Sequence, residues 1–241
     1  MRAKFPGLDL TVYLQGLALL ARNPVVTVPP LLMAVVCAAI GMMAGGGSDP
    51  LSGATGGIVS LIETLLRFFG IGVAIIIGDQ AWRRPRASFE EGWAEGRRKA
   101  GDILLATLGL TFCTYLASLT GSFLGILSYA LIAVVVFFLI YTIPAAAIGG
   151  VPGGAALQTS IDAVRATPLP ALVLAIVSVA IFLIVEIFVI PELSLAIVPY
   201  LSGSLNPLIL VVDAIVEAIF EGYLAIVVAK VYTDTAFRRR W

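Results

Sequence analysis

Six stretches of this chain stay apolar long enough to cross a bilayer as helices, which takes roughly 17–25 residues. They are residues 25–44, 58–78, 103–119, 123–147, 168–190 and 207–232. Three shorter segments, 8–23, 88–99 and 155–166, instead mix apolar and polar positions at helical spacing, as helices lying along a membrane interface do. In the first of them Tyr13, Leu17, Leu20 and Ala21 share one side, with Gln15 and Arg22 elsewhere. Boundary residues sharpen the pattern. Pro24 ends the first short helix, and Pro29-Pro30 are expected to kink the start of the first span. Ser88 followed by Glu91 reads as a capping box. Thr167-Pro168 and Asn206-Pro207 read as an N-cap and a first-turn proline opening the last two spans. Residues 45–57, 149–154 and 191–205 read as turns or loops. The few residues around Gly121-Ser122 make spans three and four an antiparallel hairpin, with Gly121 and Gly125 spaced for close helix approach. The pattern predicts one all-α domain over residues 1–241: a polytopic membrane protein of six transmembrane helices in three hairpins, each preceded by an amphipathic interfacial helix.

The three units, about 8–84, 85–150 and 151–241, share details. Leu14-Gln15 to Arg22-Asn-Pro matches Leu157-Gln158 to Arg165-Ala-Thr-Pro, and Arg98 stands in the same place before span three. Asp79-Gln-Ala-Trp-Arg-Arg at the end of span two is answered by Asp234-Thr-Ala-Phe-Arg-Arg at the end of span six. A pseudo-threefold internal repeat is the expectation.

Composition agrees with the pattern. The chain is 60% hydrophobic and 12% charged, about half the charge of a soluble domain. Leaving out Arg67, every Lys and Arg falls at the N-terminus, between Arg83 and Lys99, at Arg165 or towards the C-terminus. With six spans those places share one face, so the positive-inside rule puts both termini and all three interfacial helices in the cytoplasm. Arg83, Arg84, Arg97, Arg98, Lys99, Arg238, Arg239 and Arg240 are then topology signals and contacts for anionic lipid headgroups. MRAKFPG lacks an apolar core before a small-residue cleavage site, so no cleaved signal peptide is expected.

The candidate chemistry lies inside the apolar runs. Asp213, Glu217 and Glu221 are spaced by four and share one face of the last span. Glu63 and Arg67 form an i,i+4 pair in span two, and Glu186 sits in span five. Superposing the two Asp-x-Ala-aromatic-Arg-Arg ends puts Arg67 at about the depth of Glu221, so Arg67 is expected to pair with Glu221 or Glu217. Glu63, Glu186 and Asp213 then fall nearer the outer boundary. One cation against five acids leaves carboxylates to be protonated, hydrated or occupied by a cation.

Other chemistry is excluded or weak. The chain has no His, and its two cysteines, Cys37 and Cys113, lie in different apolar runs. No cofactor and no metal site is therefore expected. Ile76-Ile77-Gly78-Asp79 lacks the first glycine of the membrane aspartyl-protease motif, and no base stands ready for a serine nucleophile. The basic residues are sparse and interleaved with Glu90, Glu91 and Glu95, which argues against nucleic acid.

Taken together, the Leu17–Pro24 entry, the Ser88–Arg98 helix after Asp79, the Gln158–Arg165 helix and the Val231-Tyr-Thr-Asp-Thr ending resemble a known group. It is the six-span membrane domain accompanying some glycerophosphodiester phosphodiesterases, with related prokaryotic membrane proteins. The resemblance implies an integral membrane domain without phosphodiesterase activity. That activity belongs to a separate soluble domain, and no residue here matches its catalytic His and acidic metal ligands. Two functions follow as expectations. The first is a non-catalytic scaffold, assembly partner or membrane-organising domain, acting on the bilayer, a second copy of itself or another membrane protein. The alternative is a channel or cation- or proton-coupled transporter lined by Glu63, Arg67, Glu186, Asp213, Glu217 and Glu221. A cavity on those acids favours the alternative; a dry, fully paired core favours the first.

Overall fold

The computed structural model describes residues 9–44, 52–121, 127–185 and 206–237. Helices dominate them: α1 Thr11–Arg22, α2 Val28–Ala44, α3 Ser52–Arg83, α4 Phe89–Arg98, α5 Ala100–Gly121, α6 Leu127–Leu139, α7 Thr142–Ala147, α8 Gly153–Ala166, α9 Pro168–Ile184 and α10 Asn206–Phe237. Among the described residues, four stretches are long and apolar enough to cross a membrane: Pro24–Gly41, Gly56–Arg83, Ala100–Thr120 and Tyr129–Ala147. The pair α8 and α9, bent by 108°, counts as a fifth if taken together. α10 matches α3 in length at 32 residues, but Asp213, Glu217, Glu221, Lys230 and Asp234 interrupt its apolar run.

Several boundaries differ from the sequence pattern, each for a local reason. Pro29 and Pro30 do not kink a helix. A 3-10 turn at Pro24–Thr27 intervenes and α2 begins at Val28, so both prolines sit in a first turn whose N–H groups have no intrahelical partner anyway. α3 starts at Ser52 rather than at residue 58, taking in Gly56 and Gly57. Ser88 does cap α4, its Oγ accepting from the Glu91 N–H at 3.4 Å. The return half of the capping box is missing, because the Glu91 carboxylate pairs with Arg84 at 2.7 Å. Thr167 flanks α9 without capping it; its hydroxyl donates back to the Ala163 carbonyl and closes α8 instead. α1 is apolar on two sides. Val12 and Gly16 face inward, while Leu10, Leu14 and Leu17 are exposed, so Leu17 does not join Tyr13 against the core. Gly125 and the 191–205 loop lie outside the described residues.

The largest departure is in the fourth apolar run, which is not one helix. It breaks at Ile140-Tyr141 between α6 and α7. Pro144 has no N–H to give the Ile140 carbonyl four residues back, and its ring crowds that carbonyl. α8 repairs part of the loss. The buried Ser160 hydroxyl donates to the Phe138 carbonyl at 2.8 Å and accepts from the Tyr141 N–H at 3.0 Å.

The core is concentrated at the end of the molecule that carries the basic residues. Val73–Ile77 of α3, Ala145–Ala147 of α7 and Ala225–Val227 of α10 are all buried there. α3 and α10 run parallel, since Arg67 reaches Glu217 and Glu221 while Gly78 meets Ile226. At Gly78 the backbones touch: a Cβ would stand 3.0 Å from Ile226 Cα and 3.2 Å from the Ala225 carbonyl oxygen. The Trp82 indole N–H donates to the Ile226 carbonyl at 2.9 Å just below. The short amphipathic helices pack around this end, α1 on α10, α4 on α3 and α8 on α7. Small residues let them in: a Cβ at Gly16 would meet Val227 at 2.9 Å, and one at Gly92 would meet Ile77 at 2.3 Å. Asn23, almost fully buried, ties α1 to the loop before α4 by accepting from the Ala87 N–H at 2.8 Å.

Two predictions follow from this packing. Gly78→Leu should lower the thermal unfolding temperature in detergent, by overpacking worth about 1–3 kcal/mol. Gly57→Leu, where a Cβ meets nothing within 4 Å, should leave it near the wild-type value. The second concerns α1. Burial first, then the neighbouring Tyr223 phenol, pushes Tyr13 up to about 12 from 10.0. Its contribution is therefore complete below pH ~10 and is lost as pH rises towards ~12, because the unfolded phenol ionises first. Tyr13→Phe should flatten that alkaline decline in a melting-temperature series.

Candidate functional site

Arg67 and Glu221 occupy the same place in two helices: each is the sixteenth residue of a 32-residue helix. At ~1.5 Å per residue the two side chains lie about 24 Å from either helix end. The parallel packing of α3 on α10 brings them level. The Arg67 guanidinium donates through Nη2 to the Glu217 carboxylate and, at 3.3 Å, to Glu221 Oε1. The expected pairing is thus present with both acids at once. Arg suits this position because its planar fork offers several donors where a lysine offers a point charge. With both acids ionised, the trio carries one negative charge more than Arg67 cancels.

The trio borders a cavity of about 370 Å³ between α3, α9 and α10. Thr64, Arg67, Phe68 and Ile71 come from one face of α3, and Glu217, Phe220, Glu221 and Leu224 from one face of α10. Ile181, Phe182 and Val185 close it from the α9 side. A second cavity of about 510 Å³ shares Thr64, Phe68, Ile71, Glu221 and Leu224 with the first. It extends towards α5 and the broken helix, where Leu139, Ile140, Ile143 and Pro144 line it. Its polar edges are slight. The Thr114 hydroxyl donates to the Leu110 and Thr111 carbonyls of its own helix, and Thr64 does the same to Ser60. Glu221 stands on the wall common to both.

The other expected residues separate from this centre. Glu63 makes no ion pair with Arg67; it faces α2, where a Cβ on Gly41 would stand 3.4 Å from its Oε1. Asp213 is half-buried two turns before Glu221, without an ion pair among the described residues. Glu186 lies outside the described residues, as do Arg238, Arg239 and Arg240.

The basic group after α3 is more structural than its charge pattern implies. Arg83 pairs with Asp79 at 2.8 Å and Arg84 with Glu91 at 2.7 Å, while both remain well exposed. The Lys99 side chain is largely buried. Its Nζ meets Glu95 at 2.8 Å and donates to the Ala147 carbonyl at 2.7 Å, at the negative end of α7. Arg97 and Arg98 are exposed, Arg98 lying 3.6 Å from Glu95. A polar cavity of about 250 Å³ lies among Asp79, Arg83, Arg84, Glu91, Glu95 and Lys99. Among the described residues no cluster of three His, Cys, Asp or Glu converges to hold a metal ion.

Sequence reasoning missed the neutral walls of the two cavities, above all Phe68, Phe182 and Phe220. A signal for part of it was there: 64, 67, 68, 71 and 217, 220, 221, 224 repeat the same i, i+3, i+4, i+7 face around the charges. Comparison with family models, with curated proteins and with solved structures finds no match to the chain.

Replacing Arg67 should be costly because it leaves two neighbouring carboxylates without their cation. Arg67→Ala is expected to lower the unfolding temperature, with a loss of roughly 1–3 kcal/mol. Adding Glu217→Gln should restore part of it in a double-mutant cycle read by thermal unfolding in detergent.

Proposed function

We propose that this chain is a six-span protein of a prokaryotic plasma membrane that moves a cation or couples to protons through the Arg67–Glu217–Glu221 centre. The observation that carries the reading is the placement of this centre at mid-length of two parallel helices, on a cavity rather than in a dry interface. In a bilayer that position is the midplane, where a leftover negative charge is expensive and calls for a proton or cation. A broken helix beside the site supports the same reading, since transporters build midplane sites from discontinuous helices. The span count takes α2, α3, α5, the α6–α7 pair, α9 and α10, with α1, α4 and α8 at the cytoplasmic interface. The pseudo-threefold repeat is supported by one relation occurring three times, in which the amphipathic helix of each unit packs on the last helix of the unit before it, cyclically. Both termini are assigned to the cytoplasm by the basic residues at that end.

A second reading follows the resemblance to the phosphodiesterase-associated membrane domain: a scaffold or assembly partner, for a second copy or another membrane protein. The outward stripe of Leu10, Leu14 and Leu17 on α1 favours it, being apolar surface that meets lipid or protein.

Cation flux into proteoliposomes separates the two. Wild type is expected to take up a cation, and the combined Asp213→Asn, Glu217→Gln, Glu221→Gln variant to lose that uptake while still folding. No flux of protons, alkali metals or divalent cations from wild type would leave the scaffold reading.

A further inference from the structure

We propose that the paired cavities form a binding site for a lipophilic organic monocation, an ammonium- or phosphonium-type ion with a bulky apolar body. This names a substrate class for the centre described above and rests on the transport reading.

Charge gives the first constraint. Two carboxylates, Glu217 and Glu221, face the single guanidinium of Arg67, so the site favours a positive ligand over a negative one. A divalent ion wants a tight carboxylate cage, and among the described residues no cluster of three His, Cys, Asp or Glu converges to form one.

The walls give the second. Phe68, Phe182 and Phe220 line the smaller cavity together with the carboxylates. Aromatic faces attract diffuse, weakly hydrated organic cations, and quaternary ammonium ions are recognised in this way. A small metal ion would need several oxygen ligands in place of its water, and besides Glu221 the larger cavity offers only the side-chain hydroxyls of Thr64, Thr111, Thr114 and Ser178. Thr64 and Thr114 spend their protons on backbone carbonyls, which leaves the unpartnered Thr111 hydroxyl and Ser178 as the O–H donors there, few for an anion or a sugar.

The third is volume. Behind Glu221 lies the larger cavity of about 510 Å³, lined chiefly by Leu, Ile, Val and Phe side chains. An inorganic ion has no use for it. A ligand whose positive head meets Glu221 would place its apolar body there, gaining the burial that such pockets provide.

The test uses the full chain in lipid nanodiscs and tetraphenylphosphonium as the probe, titrated calorimetrically against empty discs. Saturable binding above the blank is expected, weakened about tenfold or more by Glu221→Gln. Ser178→Phe, which fills the larger cavity and leaves every charge in place, should weaken it too and serves if the first variant folds poorly. Neutral triphenylphosphine oxide should not bind above the blank. Equal binding of the oxide, or binding unchanged in both variants, would overturn the proposal. Acid-dependent flux of protons or inorganic cations without tetraphenylphosphonium binding would sink it while leaving the transport reading intact. Absence of both would remove the two together.

Discussion

The contact of the α3 and α10 backbones at Gly78 is the constraint on which the rest of the molecule depends. Two helices that touch at one point diverge on either side of it. Below the crossing the gap is narrow, closed by Trp82 and by the short amphipathic helices whose glycines seat on α3 and α10. About 16 Å along α3 in the other direction, at Arg67, the helices are far enough apart for long side chains to bridge them. Arg67, Glu217 and Glu221 do so, and the room left beside them is the pair of cavities. Tight packing at one end and a charged, roomy middle are two results of a single close approach.

The broken fourth run supplies the far wall of that space. Pro144 forces the break, and Ser160 of α8 makes it tolerable by serving both a carbonyl and an N–H that the helix left without partners. Lys99 adds a donor at the end of α7, and the Gly153 N–H donates to Asp102 at 2.9 Å to fix the turn into α8. Side chains from α8, from the α4–α5 junction and from the first turn of α5 thus hold irregular backbone in place next to the larger cavity.

Much of this was legible in the sequence because the signals were periodic or local. Apolar runs, the Ser88 cap and the shared face of Asp213, Glu217 and Glu221 depend on residues within a turn or two of one another. The level of Arg67 was legible for another reason: the matching ends after Asp79 and Asp234 supplied a common ruler for two helices. What was not legible depends on distant partners. Pro144 was plain to see, but whether its run bends or breaks rests on Ser160, 16 residues on and in another helix. Lys99 looked like one more headgroup contact because nothing nearby in sequence announces the Ala147 carbonyl. α1 looked one-sided because its second partner, α10, comes some 200 residues later. The cavity walls were hidden for the same reason, since α9 contributes residues whose own helix gives no hint of the charges they face.

The equal distance of Arg67 and Glu221 from both helix ends has an electrical meaning. In an energised bilayer the field falls across the apolar thickness, and with α3 and α10 spanning it as proposed, a charge that arrives at mid-length from either side has crossed about half of the drop. Moving one elementary charge through the full drop involves ~2.3 kcal/mol per 100 mV, so reaching this level involves roughly half of that. Occupancy by a cation would then depend on the membrane voltage as well as on concentration, rising when the side of entry is made positive.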